Sequence, residues 1–176
     1  MQKLLVLALS LWLCSFSESR HLNASKDALQ WISLGEASSK MKGEKRMVLI
    51  DLYTDWCSWC KVMDKNTYTN KELIKYVNEK FYAVKLNAET RETLSWYGKD
   101  FGYDDHYKVN TYALYLTRGQ LAFPTTVIIP SDGSAPQAIP GYLKAPEMEL
   151  ILKYFGENRY GNQPFQDFQN SFKSSW

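Results

Sequence analysis

The stretch "VLIDLYTDWCSWCK", Val48 to Lys61, carries two of the chain's three cysteines, spaced C-x-x-C, at the end of an apolar run. "MVLIDLY", Met47 to Tyr53, is nearly continuous in apolar and branched residues, the pattern of a central strand covered on both faces. From Ser58 onward, "SWCKVMDKNTYTNKELIKYVNEK" has helical content with a loop near Asn66 to Asn70. A strand, a tight turn and a helix set Cys57 at a helix N-terminus, where unpaired N–H groups and the positive dipole end favour a thiolate. Cys60 follows one turn inside. In this arrangement Cys57 is the exposed attacking sulfur and Cys60 the shielded resolving one.

The N-terminus narrows the cysteine chemistry. Lys3 precedes an uncharged apolar run, Leu4 to Phe16, and then small and polar residues, the order of a secretory signal. At about 13 residues the run is short for a membrane span of about 20. We expect a signal peptide over 1–19, with cleavage between 17 and 24, and hence an exported protein, periplasmic if the source is a Gram-negative bacterium. Cys14 leaves with the signal. Lipidation of Cys14 is disfavoured, because bulky Trp12 and Leu13 stand where the lipoprotein pattern wants small residues.

Only Cys57 and Cys60 then remain. They close too short a loop to act well as a structural staple, since chain-entropy stabilisation grows with loop length. Zinc needs four ligands, and the only other soft candidates are His21, near the cleavage region, and the distant His106, so no metal is expected. A redox dithiol is the reading that survives. A net charge of +2 with scattered Lys and Arg gives no nucleic-acid footprint. Composition at 45% hydrophobic and 15% aromatic is that of one folded domain.

Asp51 interrupts the apolar strand. Alternation can carry it to solvent; the alternative is a buried acid of raised pKa beneath the dithiol that takes and returns the Cys60 proton. Lys85, in the next strand "FYAVKLN", is placed to share its charge.

The rest reads coarsely as a first strand Leu29 to Ile32, a helix Leu34 to Lys42 ending at Gly43, and a strand Phe81 to Leu86. After Pro124, "TTVIIP" is a strand closed by the turn "PSDGS", and Gln137 to Ile139 is its hairpin partner. "APEMELILKYFG" opens with Pro146, buries Met148, Ile151, Leu152 and Phe155, and stops at Gly156. This pattern gives an α/β domain over 25–157 with a central mixed sheet flanked by helices. Residues 88–122 form an insertion, read as an ordered extension rather than a long loop. In the 158–176 extension, Phe165, Phe168 and Phe172 fall at helical intervals, as in a docked amphipathic helix.

"VLIDLYTDWCSWCK" resembles the active-site strand and helix of the thioredoxin superfamily, with an aspartate six residues before the first cysteine and Trp56 just before it. "VKLNAE" resembles the strand that brings a lysine beside that aspartate, "FPTTVII" the segment that begins with the cis-proline, and "IPGYLKAPEMELILKYF" the final hairpin glycine and helix. Within the superfamily the chain is most similar to exported bacterial thioredoxin-like proteins and the C-terminal periplasmic domain of the thiol:disulfide interchange reductase. The resemblance implies a thioredoxin fold and a thiol-disulfide oxidoreductase. It also implies Cys57 as nucleophile, Cys60 as resolving thiol, a Cys57–Cys60 disulfide, Asp51 and Lys85 as the proton-handling pair, and Pro124 as cis-proline. Trp56, Trp59, Phe123, Pro124 and Thr125 are the substrate-binding candidates; Trp59 reads equally as an anchor for partners or as packing on its own helix. Ser58-Trp59 replaces the Gly-Pro of cytosolic thioredoxins, and Tyr53 their Trp. No cofactor is expected. The implied partners are protein disulfide substrates and a membrane electron donor. Reduction is the favoured direction, with an oxidant or isomerase, or a non-catalytic binding module, as alternatives.

Overall fold

The structure, a computed structural model, describes residues 27–132 and 134–176. The expected signal peptide with its cleavage points, Cys14, His21 and the glycine of the "PSDGS" turn lie outside the described residues.

Five strands form one mixed sheet: β1 (Trp31–Ile32), β2 (Met47–Tyr53), β3 (Phe81–Asn87), β8 (Thr125–Ile129) and β9 (Gln137–Pro140). Their spatial order is β1-β3-β2-β8-β9, which puts β2 at the centre. β1 and β2 run parallel to β3, whereas β8 is antiparallel to both β2 and β9. β1 is shorter than the expected Leu29 to Ile32. Asn78 explains the difference, because its side chain accepts from Gln30 N and donates to Ala28 O, both at 2.9 Å, occupying backbone groups that a longer strand would pair.

Alternation along β2 divides the core. Val48, Ile50 and Leu52 pack on one face with α1 (Leu34–Gly43) and α4 (Thr111–Thr117). Leu49 packs on the other with α2 (Ser58–Asn66), α3 (Lys71–Lys80), α5 (Ala145–Gly156) and α6 (Phe165–Ser171). Asp51 shares the pleat parity of Leu49 and is therefore turned toward α2. The apolar faces hold the helices. Met63 on α2 and Leu73 and Val77 on α3 are fully buried, and each such side chain contributes about 1.5–3 kcal/mol on burial. Local signals set the ends: Ser33 and Asn70 cap α1 and α3 by accepting from Glu36 N and Leu73 N.

The 88–122 segment is ordered. It contains two small hairpins, β4 (Leu94–Trp96) with β5 (Lys99–Phe101) and β6 (Tyr103–Asp104) with β7 (Val109–Asn110), followed by α4. Asn110 ties them together. It is fully buried, its Oδ1 caps α4 at Tyr112 N, and its Nδ2 donates to the carbonyls of Glu92 and Phe101.

In α5, Met148, Leu152 and Phe155 are buried as expected, but Ile151 is only half-buried and Glu149 is fully enclosed. Glu149 is enclosed by the C-terminal segment, which folds over α5. Ser174 Oγ and Ser175 Oγ donate to the Glu149 carboxylate, and Trp176 packs on Tyr76 with ring centroids 5.5 Å apart.

Candidate active site

β2 ends at Tyr53, and four residues later Cys57 caps α2. The Cys57 amide donates to Thr54 O, forming the turn, and Cys57 Sγ accepts from Cys60 N at 3.0 Å. A sulfur in the N-cap position receives the N–H groups that the first helical turn leaves unpaired, the environment that favours a thiolate. Cys57 and Cys60 are joined as a disulfide, with Cα atoms 5.3 Å apart. Sequence reasoning made Cys57 exposed and Cys60 shielded, yet both are buried, at 4% and 3% exposure. Two things hold Cys57 in: its sulfur is bonded to Cys60, and its Sγ is turned toward the helix as a cap.

On the sheet face covered by α2, the β-register places Asp51 between Lys85 on β3 and Thr126 on β8. Asp51 is 1% exposed, and Lys85 Nζ donates to its Oδ2 at 2.7 Å. Burial raises the Asp51 pKa, and the Lys85 ammonium offsets this only in part. Burial works against the Lys85 charge as well, but the Asp51 and Asp64 carboxylates outweigh it and hold the lysine pKa above its ordinary value. The expected acid–lysine pair is therefore assembled, with Asp64 as an additional carboxylate: Lys85 Nζ also donates to Asp64 Oδ1. Sequence reasoning missed Asp64. Its signal was its place four residues after Cys60, one helical turn along the same face of α2.

The substrate-binding candidates surround the dithiol unequally. Trp56 and Trp59 are 65% and 60% exposed. Trp56 meets Phe123 edge-on at 5.9 Å and donates from Nε1 to Glu89 at 2.9 Å. Trp59 packs against Tyr142, ring centroids 5.5 Å apart, rather than on its own helix. The Phe123–Pro124 peptide is cis. Pro124 and Thr125 are buried, and Thr125 Oγ donates to Ala122 O at 2.7 Å, so that its side chain braces the loop. Glu89 and Tyr142 were not candidates from sequence, since neither lies near the C-x-x-C in the chain. Among the described residues, no cluster of three or more His, Cys, Asp or Glu side chains is placed to hold a metal.

A mixed sheet with a cysteine pair at the N-terminus of α2, a buried acid on the central strand that leads to it and a cis-proline at the head of the neighbouring strand define a thioredoxin-type protein. Residues 34–156 match the model of the thioredoxin-like domain family, and the chain belongs to that family. Among curated relatives, the thiol:disulfide interchange protein DsbD of Neisseria meningitidis is 26% identical over 113 residues, 64% of this chain and 15% of the relative. The chain spans 15% or less of the length of the curated relatives it matches. Among solved structures, a thioredoxin-fold protein from Helicobacter pylori superposes with a TM-score of 0.57 at 20% identity, over 82% of this chain and 87% of that one. A DsbH oxidoreductase does so with a TM-score of 0.53 at 17% identity, over 80% and 94%.

Proposed function

We propose that the protein is an exported thiol-disulfide oxidoreductase that reduces protein disulfides through Cys57 and Cys60. The observation that carries the reading is the Cys57–Cys60 pair at the start of α2, together with the buried Asp51, paired with Lys85, on the strand that leads into it. In the reduced protein the Cys57 thiolate attacks a substrate disulfide, forming a mixed disulfide and releasing one substrate sulfur as thiolate. Asp51 takes the Cys60 proton; Cys60 sulfur attacks Cys57, the enzyme disulfide forms, and the second substrate sulfur leaves. The leaving thiolate regains a proton from Asp51 or solvent. Two electrons pass to the substrate, and a membrane electron donor restores the dithiol. No helix among the described residues is long and apolar enough to cross a membrane. Trp56 and Trp59, exposed beside the dithiol, supply apolar contact area for a polypeptide substrate.

Expressing Cys60→Ser in the source cells tests the reading. It should accumulate mixed disulfides through Cys57 that dithiothreitol releases and that Cys57→Ser abolishes. A Cys60→Ser variant that traps no partner, together with a Cys57→Ser variant of full biological activity, would establish a non-catalytic binding module instead.

A further inference from the structure

Beneath the dithiol, the proton-handling acid has one oxygen accounted for and one not. Asp51 Oδ2 accepts from Lys85, while Asp51 Oδ1 is buried without a hydrogen-bond partner. Two hydroxyls share that condition, Tyr68 O–H and Thr126 Oγ, each buried and unpartnered. They belong to one place. Thr126 is paired in register with Asp51 across β2 and β8, and the Lys85 ammonium that donates to Asp51 at 2.7 Å also lies over the Tyr68 ring. Buried polar atoms left unpaired cost about 1–3 kcal/mol each and are uncommon in native proteins. Two unpaired hydroxyls grouped around the unpaired oxygen of one carboxylate point to a shared use.

Tyr68 is also held firmly. It sits in the break between α2 and α3, its amide donates to Met63 O at 3.1 Å, and its ring meets Trp31 edge-on at 5.1 Å. Lys85 Nζ lies 5.7 Å from the centre of the same ring. The aromatic side chain beside the lysine thus also carries a buried hydroxyl into the neighbourhood of the acid.

We propose that Tyr68 is a positioning residue for the proton step: its hydroxyl donates to Asp51 Oδ1 when the carboxylate is ionised, directly or across one water that Thr126 also holds, and so keeps Asp51 able to accept the Cys60 proton. The inference rests on the proposed redox function. The groups around Asp51 are Lys85 from β3, Asp64 from α2, Tyr68 from the α2–α3 link and, in the proposed mechanism, Cys60; β8 offers the uncharged Thr126. With Lys85 engaged at Oδ2, Tyr68 is the ionisable donor left for Oδ1. Proton and charge balance as before, since Cys60–SH and the carboxylate become Cys60–S⁻ and the carboxylic acid, while Tyr68 keeps its proton.

Tyr68→Phe removes the donor and leaves the ring. The acidic limb of the kcat profile should move to higher pH by about one unit, the scale of one charge-assisted hydrogen bond, with the alkaline plateau unchanged. In an Asp51→Asn background Tyr68→Phe should have no further effect. A rate lowered equally at every pH, or lowered again in Asp51→Asn, would overturn the proposal by marking Tyr68 as merely structural. A second measurement needs neither turnover nor a variant that folds. In the reduced wild-type protein, the Asp51 13Cγ and Tyr68 13Cζ resonances should titrate with a common midpoint. Asp51 titrating while Tyr68 stays still overturns the proposal and leaves the redox reading intact; loss of the redox reading would show in the Cys60→Ser trap and not in this titration.

Discussion

Glu149 is the most heavily bonded carboxylate among the described residues, and its replacement by Gln has a calculable effect. Its Oε1 accepts from Ser175 Oγ at 2.6 Å and Lys153 Nζ at 2.8 Å; its Oε2 accepts from Ser174 Oγ at 2.6 Å, Ser175 N at 2.8 Å and Trp176 N at 3.1 Å. Burial alone would raise its pKa, but Lys153 and the serine donors outweigh it and lower the pKa from an ordinary 4.5 to about 2. At 1.36 kcal/mol per unit, this amounts to about 3 kcal/mol of stability. The sign follows from the depression: the stabilisation is complete above the unfolded value near 4.5 and is lost as pH falls through about 2. Gln keeps the shape but turns an N–H₂ toward donors and removes the charge facing Lys153. We expect Glu149→Gln to lose up to about 3 kcal/mol at pH 7, or roughly 6–12 °C in Tm for a domain of this size. In reversible urea unfolding followed by tryptophan fluorescence, the gap between wild type and variant should narrow as pH drops from 4.5 toward 2. A gap that stays constant across that range, or lies below about 1 kcal/mol at pH 7, would mean that the Glu149 charge does not supply this stability.

Three other outcomes follow from the same structure. Asp51→Asn should slow turnover near neutral pH more than it weakens substrate binding. Because folding raises the Asp51 pKa, its charge opposes stability at neutral pH, so the variant's Tm should not fall; equal rates for variant and wild type would remove the proton role. Trp59→Ala, which deletes a side chain 60% exposed beside the dithiol, should raise KM for a protein disulfide several-fold with little change in kcat, and an unchanged KM would return Trp59 to a packing role against Tyr142. Met63→Ala, at a fully buried position under α2, should cost about 2–5 kcal/mol, read by denaturant midpoint; a loss under 1 kcal/mol would mean α2 is anchored elsewhere.

The sheet and its large helices were legible because their signals are local. A branched apolar run marked Met47 to Tyr53 at the bounds observed, and Pro146 with Gly156 bracketed the last long helix to within one residue of its observed start at Ala145. Asp51 stood out as a lone acid in that run, and Lys85 as its neighbour one strand away. The hairpins within 88–122 left no such trace. Their strands are two or three residues long, too short for periodicity, and the β4–β5 turn uses Tyr97 and Gly98 at positive φ, where Asn-Gly would be the recognisable pair. Asn110, which organises the segment, acts through side-chain bonds to backbone groups up to 20 residues away, as with Thr90. Tyr68 and Tyr142 reach the dithiol region only through tertiary folding, and the burial of Cys57 depends on which way its sulfur turns. Such facts have no spacing to betray them.

Equilibration with glutathione decides whether the Cys57–Cys60 dithiol is a reductant. The predicted standard potential lies below about −180 mV, toward the roughly −270 mV of a thioredoxin. A value well above −180 mV, near the −120 mV or so of a strong disulfide donor, would contradict the reductant role and make the protein an oxidant.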